Sequence, residues 1–257
     1  MARRGILKSR TEKTLRVAER LEDLLGHIGK PRRRSEALET LIATLLSQNT
    51  NDQNSYKAWL NLRKEFPTWK KVSEAPWKSI ARAIEVGGLK NQKARRIKKI
   101  VQRIYAERGE YSIEFLKERS NDEIMEYLLS MKGVGKKTAA CVLVFSIGRE
   151  VFPVDTHIHR ICNRLGLVRT KSADQTYDEM QELVPRGSAY AFHVNLIRFG
   201  RETCRSANPK CGDCPLFDLC VFPEKDRLAI RSQGRRGNRG RSNRFLITEQ
   251  VSRDSAG

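Results

Sequence analysis

The chain has 257 residues, enough to bury a sizeable core as one large domain or two small ones. Its 50 Lys and Arg outnumber 30 Asp and Glu, and the net charge of +20 favours a polyanionic partner, most simply nucleic acid, over a surface tuned only for solubility. No apolar run approaches the roughly 20 residues that cross a bilayer, and no secretory hydrophobic core is present, so we expect a cytoplasmic protein with no membrane partner.

Apolar residues recur at helical spacing in one segment after another. The first predicted helix covers about residues 15–28 and ends at Gly29-Lys30-Pro31. The second, residues 38–46, leads into six polar residues, Ser47-Gln48-Asn49-Thr50-Asn51-Asp52, which by themselves indicate only a surface turn. The chain is therefore expected to be mainly helical.

Residues 91–105, NQKARRIKKIVQRIY, predict a helix with one apolar face. Its lysines and arginines are placed away from that face, at Lys93, Arg95, Arg96, Lys98, Lys99 and Arg103. This basic side is either solvated or follows the phosphates of a nucleic acid, and the residues alone favour neither alternative.

A glycine-rich turn follows at residues 132–135, Lys-Gly-Val-Gly. Gly133 and Gly135 permit a tight turn with positive φ, and the next residues continue as a helix that carries Lys136 and Lys137. Backbone amides in such a turn, at the positive end of a helix, are well placed to hold a phosphate. Hairpins of this kind also occur in DNA-binding modules that catalyse nothing, so Gly133-Val134-Gly135 alone is weak evidence for an enzyme.

Asp155 stands in a Val-Asp-Thr-His-Ile segment, residues 154–158, where it is suited to be the N-cap of a helix. As a cap it would stabilise that helix by about 1 kcal/mol.

Four of the six cysteines form a compact group, C-x6-C-x2-C-x5-C, at Cys204, Cys211, Cys214 and Cys220. Four thiolates at this spacing suit either a tetrahedral zinc ion or an iron–sulfur cluster, and the donor chemistry does not separate the two. In a chain without secretory signals, metal binding is a better explanation for them than disulfides.

Over about residues 21–222, the chain resembles the endonuclease III family of helix-hairpin-helix DNA glycosylases. The resemblance is carried by the hairpin, the lysine after it, the VDTHI segment and the cysteine spacing. The resemblance implies an all-α, two-lobed fold. A six-helix lobe, residues 30–149, would hold the hairpin, and residues 1–29 with 150–225 would form an iron–sulfur lobe. Residues 226–257, rich in Gly and Arg, are expected to be a basic disordered tail.

The resemblance also implies DNA base-excision repair at the nucleoid. A monomeric, bifunctional glycosylase and abasic-site lyase would bind damaged duplex DNA between its lobes. There Lys137 would attack the sugar and form a Schiff base, and Asp155 would balance positive charge on the sugar. Oxidised pyrimidines are the expected substrates. The alternatives are a mismatch thymine or uracil glycosylase, an alkylpurine glycosylase, or a non-catalytic DNA-binding protein stabilised by zinc.

By the same resemblance, the cysteine quartet would hold a 4Fe-4S cluster, whose loop places Lys210 near DNA phosphates. The hairpin residues Gly133, Val134, Gly135 and Lys136 would contact the backbone. A glutamine of the family fills the gap left by the extruded nucleotide; an ungapped alignment puts Asn49 at its position, with Gln48 one residue earlier as an equal candidate.

Overall fold

The computed structural model describes residues 2–29 and 34–233, and within these ranges its regular structure is entirely helical. The predicted all-α class is therefore confirmed. The helices are α1 (Ala2–Leu25), α2 (Ala37–Ser47), α3 (Asp52–Glu65), α4 (Trp69–Glu74), α5 (Trp77–Ala83), α6 (Lys90–Arg108), α7 (Asn121–Leu129), α8 (Lys136–Cys141), α9 (Thr156–Arg164), α10 (Ala173–Met180), α11 (Ala189–Glu202) and α12 (Lys225–Gln233).

Short irregular helices connect some of these elements. Three are 3-10 turns, at Glu85–Gly87, Glu114–Glu118 and Cys211–Asp213, and one is a π-helix, Val142–Ile147, that directly continues α8. In the described part of the chain, no helix is both long enough and apolar enough to span a membrane.

The chain divides into two compact units. We call residues 34–149 the hairpin unit and residues 2–29 with 150–233 the cysteine unit.

Helix α2 is the centre of the hairpin unit. Nine of its residues are buried, because α3, α6 and α8 all pack against it and leave it almost no solvent-facing side. Asn51 begins α3 by accepting a hydrogen bond from the amide of Asn54, and Ser120 begins α7 in a capping box with Glu123. A rigid, capped helical frame therefore surrounds the loops described below.

Helix α11 has the same central role in the cysteine unit, where it packs against α1 and α9. Val17 and Leu21 of α1 are fully buried, and Phe192 of α11 stacks on Phe152 with the ring centroids 5.4 Å apart. This packing fixes residues 151–155, which lead into α9, and the start of the cysteine loop, which follows Glu202 at the end of α11.

Two predicted boundaries were wrong. Helix α1 ends at Leu25 rather than near residue 28, because Gly26 adopts a left-handed conformation (φ 88°) and its amide bonds the carbonyl of Glu22. The predicted tail does not begin at residue 226, since Lys225–Gln233 form α12. The ammonium of Lys225 anchors this helix by donating to the carbonyls of Phe217 and Cys220. The rest of the predicted tail, residues 234–257, lies outside the described residues.

Candidate active site

The glycine turn between α7 and α8 is a tight hairpin. The amide of Val134 donates to the carbonyl of Met131 at 3.1 Å, and the Val134 side chain is buried beneath the turn. Gly133 has φ +93°, as predicted, but Gly135 does not: its φ is −103°, and it serves as the N-cap of α8. The second glycine is thus placed where a helix begins rather than where the backbone must be left-handed.

Arg96 of α6 covers Gly133. A Cβ atom at Gly133 would lie 2.6 Å from Cδ and 2.7 Å from Nε of Arg96. Any side chain at this position would therefore both strain the backbone and displace the guanidinium.

Lys136 and Lys137 occupy the first turn of α8, directly after the hairpin, and both are only partly buried. The next side chains, Thr138, Ala139 and Ala140, point into the core. The helix anchors the backbone beneath the lysines while leaving both amines accessible.

The loop after α2 separates the two candidates for the inserted residue. Nε2 of Gln48 donates to the carbonyl of Gly133 at 3.2 Å and to Oγ1 of Thr138 at 3.3 Å, so this side chain ties the loop to the hairpin. Asn49 is exposed and has the left-handed φ of 52°, uncommon outside glycine. Asn49 is the side chain that is presented outward.

Lys93 was predicted on the basic surface of its helix, and this prediction was wrong. It is 2% exposed, and its ammonium donates to the carbonyl of Leu46 at 2.7 Å and to that of Gly87 at 2.8 Å. Burial lowers the pKa of Lys93 from the ordinary 10.5 to about 8. Lys93 thereby joins the end of α2 to the turn before α6; its helical spacing with Ile97 and Ile100 was the signal of an inward direction.

Leu89 is a candidate functional residue that the sequence reasoning did not identify. It precedes α6 in a left-handed conformation, φ 48°, and half of its surface is exposed. A Cβ on the neighbouring Gly88 would lie 4.0 Å from the carbonyl oxygen of Asn49, so the two strained residues stand on adjacent loops. Strain of this kind concentrates at functional sites. An apolar residue directly after a helix-breaking Gly-Gly pair was the available signal.

In the cysteine unit, Asp155 is the N-cap of α9, and its Oδ1 accepts from the amide of Ile158 at 2.9 Å. The buried His193 supports the preceding turn through a 2.9 Å hydrogen bond between its Nδ1 and the carbonyl of Pro153. Asp155 is only partly buried, and one carboxylate oxygen is committed to the cap. The other carboxylate oxygen, Oδ2, is the one suited to act on a substrate.

His157, two residues after Asp155, packs against α11. Its Nδ1 accepts from Arg160, and burial lowers its pKa. A neutral imidazole in contact with a guanidinium fits a packing role.

The four cysteines after α11 line one cavity. Its walls are Arg164, Thr203, Cys204, Pro209, Lys210, Cys211, Cys214, Phe217, Cys220, Phe222 and Lys225. Among the residues that the structure describes, no three His, Cys, Asp or Glu side chains are grouped closely enough to hold one metal ion. The loop from Arg205 to Lys210 closes on itself, because the amide of Lys210 bonds the carbonyl of Thr203 at 2.9 Å.

Arg164 organises this loop. Its guanidinium donates to the carbonyl of Arg205 at 2.7 Å and to that of Ser206 at 3.2 Å, while its own carbonyl accepts from the thiol of Cys220 at 3.3 Å. Burial, and next the neighbouring Cys204, raise the thiol pKa of Cys211. Burial also raises the pKa of Cys214, to about 12. Since metal ligands are thiolates, these sites need a strongly positive group to ionise together.

Comparison with known proteins gives a consistent result. The profile of the HhH-GPD superfamily of base excision DNA repair proteins matches residues 42–186. Endonuclease III from Thermotoga maritima is 31% identical over 206 residues, covering 80% of this chain and 92% of that protein. A candidate DNA glycosylase from Arabidopsis thaliana is 39% identical over 197 residues, covering 72% and 67%.

A solved structure of endonuclease III, trapped as a covalent intermediate with DNA, superposes with a TM-score of 0.72 at 26% identity. The match covers 84% of this chain and 98% of that one. The fold similarity therefore includes both of the units described above.

Proposed function

Because this chain belongs to the endonuclease III family of the HhH-GPD superfamily, and so is a base excision repair DNA glycosylase and abasic-site lyase, we propose that Lys137 and Asp155 carry its chemistry. Oxidised pyrimidines in duplex DNA are the proposed substrates. The observation that carries the residue assignment is the hairpin: its turn leads directly into the first turn of α8, where the amine of Lys137 is accessible.

The first step is attack by the neutral amine of Lys137 on C1′ of a nucleotide extruded from the duplex. A new carbon–nitrogen bond forms as the glycosidic bond breaks, and the base departs with that electron pair and takes up a proton. The amides of Gly133, Gly135 and Lys136 hold the adjoining phosphate at the positive end of α8, while that of Val134 closes the turn on Met131.

The second step uses a Schiff base on Lys137. It forms when the nitrogen loses a proton and its lone pair makes a double bond to C1′, which breaks the bond to the ring oxygen, and that oxygen takes up a proton. The positive nitrogen acidifies C2′, so a base removes a proton there and the electron pair expels the 3′ phosphate. Water then releases the sugar from the lysine. The trapped covalent complex of endonuclease III with DNA supports this step by analogy.

Asp155 acts on the developing charge. Its cap hydrogen bond fixes the carboxylate's direction, and the second oxygen stabilises positive charge on the sugar and accepts a proton during ring opening. The cap and the catalytic role are compatible because they use different oxygens.

We propose that Asn49, rather than Gln48, fills the space left in the base stack. Its exposure and left-handed backbone support this, whereas Gln48 is committed to the hairpin. Leu89, exposed on the adjacent loop, is suited to wedge between bases of the same duplex.

The cysteine quartet is proposed to hold a 4Fe-4S cluster. The four thiols line one cavity, and burial raises the pKa of Cys211, Cys214 and Cys220, so a strongly positive group such as this cluster fits their chemistry. The four cysteine thiolates would hold the cluster, which would supply structural order to the loop from Arg205 to Lys210. Lys210 and the exposed Arg205 would then contact DNA phosphates. We expect the protein to act as a monomer at the nucleoid.

Borohydride trapping tests the chemistry. Wild-type protein with duplex DNA containing an abasic site should give a covalent adduct on reduction, and Lys137→Ala should give none, while Lys136→Ala keeps most of the yield. If the wild-type protein gives no covalent adduct, the proposed lyase chemistry is wrong and the protein only binds DNA.

A panel of duplexes, each with one defined lesion, tests the substrate class. Faster release of oxidised pyrimidines than of mismatched thymine, uracil or alkylated purines is expected. Faster release of one of the other bases would assign the enzyme to that alternative specificity. The proposed chemistry of the lysine would be unaffected.

A further inference from the structure

A basic groove runs along α6 in the hairpin unit, apart from the lysine of α8. It has a volume of about 800 Å³ and ends on the segment that leads into the hairpin. Its lining residues are Asn91, Gln92, Arg95, Arg96, Lys99, Ile100, Arg103, Ser130, Met131 and Lys132. Five of these residues are cations and none is an acid.

The cations form a row because of the helix's own geometry. Arg95, Lys99 and Arg103 follow one another at four-residue intervals, so they share one face of α6 at steps of about 6 Å. Ile97 and Ile104 lie on a different face of α6, where both are fully buried, whereas Ile100 also lines the groove. A linear row of charge suits an extended polyanion better than a single small anion.

The arginines of the groove are held by neighbours. The guanidinium of Arg95 lies over the Trp77 ring, 4.1 Å from its centroid, and Arg103 donates to the carbonyl of Ser130 at 3.0 Å. Arg103 also pairs with Glu107 at 2.6 Å, which neutralises part of its charge. Arg95, Lys99 and Lys132, all exposed along the groove or its rim, contribute most to attracting a ligand.

The groove is continuous with the phosphate-binding hairpin, since Arg96 lines it and also covers Gly133. A strand whose phosphate is held at the hairpin has further phosphates at regular intervals along its length. We infer that this groove binds the phosphate backbone of duplex DNA beyond the lesion, as a second contact surface that extends the enzyme's footprint.

The inference rests on the proposed function for DNA as the ligand, but not on the chemistry of Lys137. An acidic protein segment is the other linear polyanion that such a groove could take. Continuity with the hairpin favours DNA, because a protein segment gains nothing from a site that holds a DNA phosphate.

The test compares two pairs of exposed lysines in the full-length protein. Lys99→Gln with Lys132→Gln removes two groove charges, and Lys64→Gln with Lys78→Gln removes two charges elsewhere on the hairpin unit. Binding to a long duplex with a stable abasic analogue is measured by fluorescence anisotropy over a range of salt concentrations. The groove pair should lose about tenfold in affinity, and its slope of log affinity against log salt should fall by about 2.

The control pair should change affinity by less than about twofold. Neutral methylphosphonate linkages, placed singly along the duplex, then locate the contact: the relevant linkage weakens the wild type but not the groove pair. Trapping of abasic DNA at saturating enzyme should remain normal in the groove pair, whereas it is lost in Lys137→Ala if the proposed chemistry holds.

Affinity and salt slope equal to the wild type in the groove pair would overturn the inference. If DNA binding is unchanged but the groove pair no longer binds poly-glutamate that the wild type binds, the groove is assigned to an acidic protein segment instead. On a duplex trimmed to the base pairs next to the lesion, the groove pair and the wild type should bind with the same affinity. A difference in affinity that persists unchanged on this short duplex also contradicts a distant contact.

Discussion

The hairpin and the cysteine loop are both short irregular segments next to helices, but they are stabilised differently. The hairpin is held by the protein alone: Val134 is buried under it, Gln48 bonds its carbonyl, and Arg96 covers its glycine. The cysteine loop is also held by hydrogen bonds: Arg164 donates to the carbonyls of Arg205 and Ser206, Arg160 to that of Cys204, and Lys225 to those of Phe217 and Cys220. It differs from the hairpin in that its four thiols line one cavity, and burial raises the thiol pKa of Cys211, Cys214 and Cys220.

The hairpin is therefore organised in advance for DNA, whereas the thiols of the cysteine loop are the proposed ligands of a bound group. Substitutions at the hairpin should act through packing and backbone strain. Substitutions at the cysteines should act through loss of the proposed cluster.

The largest effect is expected from Cys214→Ser. Removal of one thiolate should abolish iron binding and lower the free energy of unfolding by more than about 3 kcal/mol, because the binding energy of a structural metal group is also folding energy. Iron content per chain and urea denaturation measure the two effects.

Cys162→Ala is the matched control, since Cys162 is buried in α9 outside the quartet. It should keep full iron content and lose only about 1 kcal/mol. A colourless, zinc-loaded wild-type protein from an anaerobic preparation would replace the cluster by the zinc alternative.

Gly133→Ala should have the next largest effect. The added Cβ meets Arg96 at 2.6 Å and the φ of +93° disfavours any side chain, so a loss of about 2–3 kcal/mol in unfolding free energy is expected. Gly135→Ala is the control, because nothing lies within 4 Å of its added Cβ and its φ is −103°. Equal losses in the two variants, by urea denaturation, would contradict the strain argument.

Lys93 gives a pH-dependent prediction. Its pKa in the folded chain is about 8 and its ordinary value is 10.5, so between these values the unfolded chain binds more protons and stability rises with pH. The neutral amine still donates to both carbonyls. The stability advantage of the wild type over Lys93→Met should therefore widen by about 2 kcal/mol from pH 7 to pH 10.

Urea denaturation at several pH values measures this advantage. Lys99→Met, which replaces an exposed lysine of the same helix, is the matched control for the loss of a lysine side chain. A gap for Lys93→Met that narrows as the pH rises would show that the buried ammonium, not the amine, is the stabilising form.

The smallest expected effect distinguishes Gln48 from Asn49. Gln48→Leu removes two hydrogen bonds and should cost about 1 kcal/mol of stability. Asn49→Gly keeps the left-handed backbone and should leave stability nearly unchanged while weakening binding to duplex DNA that contains an abasic analogue. If Gln48→Leu weakens DNA binding without loss of stability, and Asn49→Gly leaves DNA binding unchanged, then Gln48 rather than Asn49 fills the base stack.

Sequence reasoning performed best where local chemistry is decisive. The helical class, the hairpin with positive φ at Gly133, and Asp155 as an N-cap all follow from short patterns whose cause lies in the same few residues. It failed at Gly135, at the end of α1 and at the start of the expected tail. Each of these depends on one particular contact or backbone conformation, such as the hydrogen bonds that anchor Lys225.

The sequence by itself determined the helices, the basic character and the order of the lysine, aspartate and cysteine motifs, because these depend on spacing along the chain. Only the tertiary structure decided the directions of side chains: Lys93 inward between two carbonyls, Gln48 against the hairpin and Asn49 outward. A polar residue at the edge of a helical face has no preferred partner until distant segments are packed together. The free energy of those contacts, rather than local propensity, then fixes where it points.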